Sequence, residues 1–533
     1  MKNKPYPLYS LPQISDLREM MKLRTAESES EIAFSFMAGT GKTARRTFKE
    51  FDEDVAAFGT YILNKGYRGA HIAIIGNNSY EWLTAFMAIV NSGNVAVPID
   101  KNLSAEKVAA LISQSDCTAC IVSKKGARLI SDITSYSTEN FSEYIATGKK
   151  LLENGKCEFW DLEIDRERLA AIFFTSGTTG DSKGVMLTHK NMASDINAAC
   201  KNFVLNGNTL SVLPFHHTFG LITAILMVYN YGYATHINSS LKNLQAELRE
   251  VKPQTLFVVP LFVQTFYKNI LSTAKKQGKE KLISRASKIS NTLLNIGIDI
   301  RSTLFQSVLS AFGGNLEYII CGGAALDPKY VKALRSFGIH VLNGYGITEC
   351  SPVVSVNRNL YWRDGSVGQI LDGVSVKISD DGEILVKGDN VMMGYYNDKS
   401  ATDAALSNYW YSTGDLGYVD EDGFLFITGR KKNLIILSNG ENVSPEEIEE
   451  QIMRNDAVCE CIVYDNNGSL AVQIFPNEEF YGNQAYFENL IANYNNHQPQ
   501  YMHIKRVLLK DEEFEKNSTK KILRFKITDS NRV

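Results

Sequence analysis

Short apolar runs alternate with helical patterns through the first four hundred residues of the chain. Residues 71–78 and 94–100 are short and rich in β-branched residues, which predicts strands, whereas the apolar spacing over 79–93 and 104–115 predicts two helices. Ser104 stands where a helix N-cap is preferred. Strands that alternate with helices in this way are typical of parallel sheets covered by helices. The sequence therefore predicts an α/β fold with a large N-terminal domain of parallel αβα sheets.

The pattern changes near residue 365, where the apolar runs become shorter and Asp-Gly pairs recur. Asp-Gly between apolar runs is a strong signal for a β-hairpin, and it occurs at 372–373, 381–382 and 422–423. These turns predict a small β subdomain attached to the large domain.

A third pattern begins in the last hundred residues. Ser444 is placed to cap a helix, Pro445 to take its first position and Glu447 to complete a capping box. We therefore predict a large N-terminal domain over residues 1–431 and a small α+β domain over residues 432–533.

Length and composition narrow the class of protein. At roughly 150 residues per domain, a chain of 533 residues holds two to four cooperating units. A hydrophobic fraction of 44% and a charged fraction of 22% exclude disordered, collagen-like and disulfide-scaffold proteins. The net charge of -3 provides no global positive field for nucleic acid phosphates, so we expect no nucleic acid partner.

Three features predict a soluble cytoplasmic protein. The first 16 residues are polar and contain prolines, unlike a secretory signal. The most apolar stretch, Phe219 to Tyr229, is 11 residues long, well short of the roughly 20 that span a bilayer. The eight cysteines include one CxxC pair, Cys117 and Cys120, with no second pair to complete a zinc site, so we interpret them as structural thiols in a reducing compartment.

Residues 272–312 combine lysines and arginines with aliphatic positions. A basic amphipathic segment can lie on a membrane surface, which would make the protein peripheral to a membrane. The alternative is a solvated helical hairpin that covers the sheet, and we favour this second interpretation.

The strongest local signal lies between residues 172 and 189, where an apolar strand leads into a glycine-rich loop. Glycines let backbone N–H groups converge on an anion, hydroxyls add donors and a lysine adds charge. The spacing differs from Walker A, so the loop does not imply an ordinary P-loop NTPase. We predict a phosphate cradle made of Thr175, Ser176, Gly177, Thr178, Thr179, Gly180 and Lys183.

Together with NGYGITE at 343–349, STGD at 412–415 and GRKKNLIILSNGENVSPEEIE at 430–450, this loop makes the chain resemble the acyl-adenylate-forming superfamily of AMP-binding enzymes. The motifs occur in the family's order over nearly the whole chain. Within that superfamily the chain is most similar to long-chain fatty acid CoA ligases, because of LPFHHTFG, YGITECSPVVSVN and the insertion that begins IGIDIRS.

The resemblance implies roles for the matching residues of the N-terminal domain. Glu349 would bind Mg²⁺ with Thr175 as a second contact, and Thr348 would contact the α-phosphate of ATP. The adenine site implied by the family comprises Gly322, Gly323 and Ala324, whose backbone would read the base, with Tyr345 stacked on its ring and Gly346 beside it.

Further roles follow for residues near the acid site and in the C-terminal part. Asp415 and Arg430 match the residues that contact the ribose, and His217 matches a histidine between the ATP and acid sites. NSTKKILR aligns with the motif that carries the mobile catalytic lysine, which places that lysine at Lys521. Lys520 stands where the family usually has glycine, so an assignment shifted by one residue stays open.

The resemblance implies that a fatty acid attacks ATP to give acyl-AMP and pyrophosphate, and that the thiol of CoA then displaces AMP. Rotation of the C-terminal domain about Lys432 would separate the two steps. No aspartate stands in residues 213–220 to bind a substrate ammonium, which favours an apolar acid. The alternatives are an acyl carrier protein as acceptor, a shorter or aryl acid, a luciferase-like oxygenase and a silent acyl-nucleotide-binding protein.

Overall fold

The computed structural model of the protein describes residues 3–39, 41–123, 133–175, 182–437, 441–466, 468–516 and 522–524. The chain forms two compact units. The first comprises Met1–Ser375 and Val386–Tyr411, and the second comprises Val376–Leu385 and Ser412–Val533.

Numbered along the chain, the strands are β1 (Ile32–Met37), β2 (Thr43–Thr47), β3 (His71–Ile75), β4 (Val95–Ile99), β5 (Cys117–Val122), β6 (Thr134–Ser137), β7 (Leu169–Thr175), β8 (Lys183–Thr188), β9 (Thr209–Ser211), β10 (Thr235–Ile237), β11 (Thr255–Val258), β12 (Tyr318–Cys321), β13 (His340–Gly346), β14 (Val353–Val356), β15 (Gln369–Ile370), β16 (Ser375–Ile378), β17 (Glu383–Lys387), β18 (Gly394–Tyr395), β19 (Leu406–Ser407), β20 (Trp410–Val419), β21 (Leu425–Arg430), β22 (Ile435–Ile436), β23 (Asn442–Val443), β24 (Val458–Asp465), β25 (Leu470–Pro476) and β26 (Ile504–Leu509).

The helices are α1 (Leu17–Ser28), α2 (Phe48–Asn64), α3 (Tyr80–Asn91), α4 (Ala105–Gln114), α5 (Phe141–Glu153), α6 (Glu158–Asp161), α7 (His189–Asn202), α8 (Met227–Tyr231), α9 (Leu244–Val251), α10 (Pro260–Lys276), α11 (Glu280–Asn295), α12 (Arg301–Leu304), α13 (Gln306–Ala311), α14 (Pro328–Ser336), α15 (Lys399–Ala405), α16 (Pro445–Ile452) and α17 (Gln484–Asn495). A π-helix, Phe219–Leu226, runs directly into α8.

Two mixed sheets form the core of the first unit. The nine-stranded sheet has the order β15-β14-β13-β12-β11-β9-β10-β1-β2, and its six central strands from β13 to β1 are parallel. The seven-stranded sheet has the order β18-β8-β7-β4-β3-β5-β6, and its strands β7, β4, β3, β5 and β6 are parallel. Antiparallel strands occupy the edges β14, β15, β2, β8 and β18.

The elements predicted from the hydrophobic pattern are present in the first unit. β3 and β4 lie within the two predicted strands, and β4 is buried along its whole length, as expected for a strand covered on both faces. α3 and α4 lie within the two predicted helices, and the Ser104 side chain accepts a hydrogen bond from the Lys107 backbone N–H at the start of α4. The predicted α/β fold is confirmed.

Among its described residues, the second unit contains a two-stranded sheet, β22-β23, and two larger sheets. β16, β17 and β20 are neighbours in one sheet, β21 pairs with β20, and the Asp422–Gly423 turn connects β20 to β21. The other sheet has the order β24-β25-β26, and its core contains Ile448 of α16 and Phe487 of α17. A large unit followed by a smaller one is as predicted, whereas the domain boundary at 431/432 stays a prediction.

The predicted capping box at the start of α16 is wrong. Ser444 occupies the N-cap position and Pro445 the first turn, but the Ser444 side chain accepts no hydrogen bond from the helix backbone. Its hydroxyl donates instead to the Thr428 carbonyl at 2.9 Å. The Ser444 hydroxyl therefore makes a tertiary hydrogen bond to β21 instead of the predicted hydrogen bond within the helix start.

Within the part of the chain that the structure describes, no helix is both long and apolar enough to span a bilayer. The apolar stretch after Thr218 forms the π-helix, in which Gly220 to Leu226 are buried. All eight cysteines are free thiols, and burial raises the pKa of the Cys117 thiol to about 11.

A buried histidine predicts acid sensitivity of the first unit. His189 Nδ1 accepts from the Leu17 backbone N–H at 3.4 Å and Nε2 donates to the Val90 carbonyl at 3.2 Å, so only the neutral ring satisfies both bonds. Burial lowers its pKa to about 4, as it does for His340. The neutral histidine therefore stabilises the folded state fully above the unfolded pKa near 6.5, and this contribution is lost as the pH falls towards 4.

We expect the urea concentration at the unfolding midpoint of the first unit to decrease as the pH is lowered from 6.5 to 4. His189 should contribute up to ~3 kcal/mol of this loss in the free energy of unfolding. His189→Gln should reduce this pH dependence. His497→Gln, at an exposed position of the second unit, is the control and should leave it unchanged. An identical pH profile for His189→Gln and wild type would contradict the assignment.

Candidate active site

The predicted adenine-site residues of the first unit follow the carboxyl ends of neighbouring parallel strands. β12 ends at Cys321, directly before Gly322–Ala324, and Cys321 pairs with Asn343 of β13. A Cβ on Gly322 would lie 3.5 Å from the Gly344 carbonyl oxygen, so the two segments lie side by side. Open α/β sheets bind ligands at this edge.

Local geometry explains why glycine occupies two of the positions at this edge. A Cβ on Gly346 would lie 2.2 Å from the Pro352 carbonyl oxygen, where β13 and β14 pair closely, so no larger residue fits. Gly323 is exposed and has φ +89°, a conformation that side chains disfavour. Tyr345 lies between these segments in the β13 ladder, opposite Ser355.

The predicted phosphate cradle begins at the end of β7 and ends at the start of β8, and these two strands pair in antiparallel orientation. Thr175 at the end of β7 pairs with Lys183 at the start of β8. The structure therefore brings together the two ends of the cradle. The predicted cradle residues between them, Ser176, Gly177, Thr178, Thr179 and Gly180, lie outside the described residues.

One tyrosine contacts two of the predicted site residues. Tyr395 of β18 donates a hydrogen bond from its hydroxyl to Glu349 Oε1 at 2.9 Å, and the Lys183 ammonium lies 4.8 Å from the centre of its ring. Glu349 itself lies in a short 3-10 turn, Thr348–Cys350, directly after β13. Tyr395 thus connects Lys183, at the start of β8, with Glu349.

The same tyrosine is held in its protonated form. Burial raises the pKa of the Tyr395 phenol, and the Glu349 carboxylate raises it further. Tyr411, which is also buried, forms a hydrogen bond with Tyr395, and burial raises its pKa well above the ordinary value. A neutral phenol can donate to the carboxylate, so the position of Glu349 is fixed by a charge-assisted hydrogen bond.

Thr348 contacts the residue that follows His217. Thr218, the residue after His217, donates from its hydroxyl to Thr348 Oγ1 at 3.4 Å. The rings of His216 and His217 lie 4.2 Å apart, and His216 Nε2 lies 3.6 Å from Asp100 Oδ2. Burial lowers the pKa of His216, which favours its neutral form.

In the second unit, Asp415 and Arg430 form a pair. They face each other across the antiparallel strands β20 and β21, with Arg430 Nε 2.8 Å from Asp415 Oδ1. The Asp415 backbone N–H donates to Thr413 Oγ1 at 3.0 Å. The two predicted ribose contacts are therefore adjacent.

Lys521, the predicted catalytic lysine, lies outside the described residues. The residues that follow it are well anchored. Ile522 packs with Ile462 and Phe514, and the Arg524 guanidinium donates to Glu449 of α16. Burial raises the pKa of the Glu449 carboxyl to about 7, although Arg524 lowers it.

Comparison with known proteins identifies the family. Residues 23–396 match the family model for AMP-binding enzymes, and residues 432–530 match the model for the AMP-binding enzyme C-terminal domain. The chain belongs to the AMP-binding enzyme family. The superfamily resemblance predicted from the motifs is thereby confirmed.

Curated relatives and a solved structure extend this result. The chain is 29% identical over 428 residues to long-chain-fatty-acid–CoA ligase FadD15 of Mycobacterium bovis, covering 74% of this chain and 71% of that protein. It is 27% identical over 513 residues to long-chain-fatty-acid–CoA ligase 5 of Rattus norvegicus, covering 87% and 75%. The anthranilate CoA ligase AuaEII, solved with anthranoyl-AMP, superimposes with a TM-score of 0.78 at 19% identity over 98% of both chains, which shows the fold.

The site fits a magnesium ion that is shared with a nucleotide. Among the described residues, no group of three His, Cys, Asp or Glu side chains could hold a metal. Mg²⁺ is commonly held by one or two carboxylates together with substrate phosphates and water. Glu349, a single glutamate linked through Tyr395 to Lys183 of the predicted cradle, suits that arrangement, and the Thr175 hydroxyl would add an oxygen ligand.

Tyr395, Tyr411 and Thr218 are not among the site residues predicted from the sequence motifs. Thr218 adjoins the LPFHHTFG histidines and could have been found there, since it immediately follows His217. Tyr411 directly precedes the STGD motif, although nothing in that motif indicates a contact with Tyr395. Tyr395 lies outside the motifs and far from Glu349 along the chain, and no local pattern marks it.

Proposed function

We propose that the protein uses ATP to activate a fatty acid as acyl-AMP, releasing pyrophosphate, and then transfers the acyl group to the thiol of CoA with release of AMP. The observation that carries this proposal is the contact of Tyr395 with both Glu349 and Lys183. That contact brings an acidic group and a cation close to one tyrosine in an AMP-binding enzyme.

Formation of acyl-AMP requires positive charge close to the phosphates of ATP. Attack of a carboxylate on the α-phosphorus builds negative charge on the transferring group, which cations and backbone donors stabilise. In this proposal Lys183 and Thr348 contact the phosphates, and Glu349 with Thr175 holds Mg²⁺. The ion neutralises phosphate charge when bound.

The remaining roles complete the reaction. Gly322, Gly323 and Ala324 would contact adenine through their backbone, with Tyr345 and Gly346 beside them. Asp415 and Arg430 would contact the ribose, and Lys521 would contact the α-phosphate during adenylation. His217 would lie between the acid and the nucleotide.

The names of the curated relatives support a long-chain acid as substrate. The buried π-helix after Thr218 adds an apolar environment next to Thr348 and His217. A substrate ammonium buried there without a partner would be costly. We therefore propose a long-chain fatty acid CoA ligase that acts in the cytoplasm.

A panel of acids tests the substrate class. Each methylene that enters an apolar site contributes ~0.8 kcal/mol, so kcat/KM should rise about fourfold per methylene from acetate onwards and then reach a plateau. Pyrophosphate release is measured with fatty acids from acetate to palmitate, with benzoate and with several amino acids. Preference for acetate, benzoate or an amino acid over octanoate and longer acids would contradict the fatty acid proposal and leave family membership intact.

The acyl acceptor is tested in the same assay by comparing CoA with acyl carrier protein after acyl-AMP has formed. Release of AMP should accelerate with CoA. Acceleration by the carrier protein alone would replace CoA with that acceptor.

A further inference from the structure

The outer face of α11 is unusual for a surface helix. Leu282 and Ile289 point away from the protein, and Ile296 continues the line just after the helix end, with exposed fractions of 62%, 56% and 70%. They are spaced seven residues apart, which places them in one stripe along the helix. A surface helix normally places its apolar stripe against the core.

The inner face of the same helix already packs on the protein. Ala286 belongs to the core cluster beneath the nine-stranded sheet, Ile283 packs against that cluster, and Ser290 is buried. The helix therefore covers the core, as we favoured from the sequence. The exposed aliphatic stripe is not needed for that packing.

Several exposed cations lie close to this stripe along the chain. The segment from 275 to 288 contains six basic residues and one acidic residue, Glu280, in a chain of net charge -3. The six are exposed, and none forms an ion pair within the described residues: Lys275, Lys276, Lys279, Lys281, Arg285 and Lys288. We call these cations, together with Leu282, Ile289 and Ile296, the basic aliphatic face.

We propose that the basic aliphatic face binds the surface of an anionic lipid bilayer. Aliphatic side chains in one stripe can enter the interface between headgroups and acyl chains, while lysines and arginines beside them contact anionic headgroups. Exposed cations close to an exposed aliphatic stripe match a negatively charged surface. This proposal is independent of the proposed function, since binding to vesicles requires no catalysis.

Sedimentation of the full chain with vesicles tests this surface. We expect binding to vesicles of mixed phosphatidylserine and phosphatidylcholine, and little binding to phosphatidylcholine alone. Replacing Lys275, Lys276 and Lys279 by glutamine should weaken binding on the order of 100-fold. The matched control replaces the exposed Lys107, Lys150 and Lys156 by glutamine and should bind as wild type does.

A second variant tests the aliphatic part. Leu282→Gln combined with Ile289→Gln keeps every charge and should also weaken binding, while adenylation of a short, water-soluble acid stays unchanged because neither residue belongs to the site. Failure of wild type to bind the anionic vesicles, or equal loss in the control triple variant, would overturn the proposal. Self-association of wild type that the double variant abolishes, without vesicle binding, would show instead that the face joins two copies of this chain.

Discussion

Lys521→Ala is expected to lower the rate of acyl-AMP formation about 100- to 1,000-fold, while formation of the thioester from supplied acyl-AMP survives. A cation that faces the α-phosphate stabilises charge that develops only in the adenylation transition state, and loss of one such donor costs about this much. The two half-reactions are measured separately, by pyrophosphate release and by consumption of acyl-AMP with CoA.

The neighbouring lysine provides the control. Ile522 and Arg524 anchor the chain after both positions, so neither alanine substitution removes an anchor. Lys520→Ala should leave adenylation within a few-fold of wild type. Comparable loss in both half-reactions of Lys521→Ala would contradict the role of this lysine, and a severe Lys520→Ala with a silent Lys521→Ala would move the assignment by one residue.

The fold was largely predictable because its signals are local. The short β-rich run of β4 and the serine cap of α4 depend on residues within one element, and the structure confirms them. The capping box at Ser444 failed because its hydroxyl found the Thr428 carbonyl, which is distant in sequence. Local chemistry therefore predicts an element, and tertiary contacts decide which hydrogen bonds it keeps.

The candidate site was predictable where a motif carries it. Glu349 and Lys183 were found through their motifs, but nothing in either motif indicates that one tyrosine connects them. Tyr395 reaches Glu349 because β18 adds to the edge of the seven-stranded sheet beside β8. That contact depends on strand order, which a single sequence does not encode locally.

Glu349→Gln is expected to lower adenylation about 100-fold and to raise the magnesium concentration needed for half-maximal rate. Glutamine preserves the shape of the side chain and can still accept the hydrogen bond from Tyr395, so the variant removes mainly the negative charge. That charge is what holds a divalent ion beside the phosphates. Adenylation is measured across a magnesium titration at saturating ATP.

Two tyrosine variants show whether the position of this carboxylate matters as well as its charge. Tyr395→Phe removes a hydrogen bond to a charged group, worth ~1.5–3 kcal/mol, and should lower adenylation about 10- to 100-fold with a weaker magnesium response. Tyr396→Phe is the matched control, because that hydroxyl donates to Asp116 at 2.8 Å on the exposed surface. It should behave as wild type. If Glu349→Gln kept the magnesium dependence of wild type, Glu349 would not be the metal ligand. If Tyr395→Phe behaved as Tyr396→Phe does, Tyr395 would be a packing residue only.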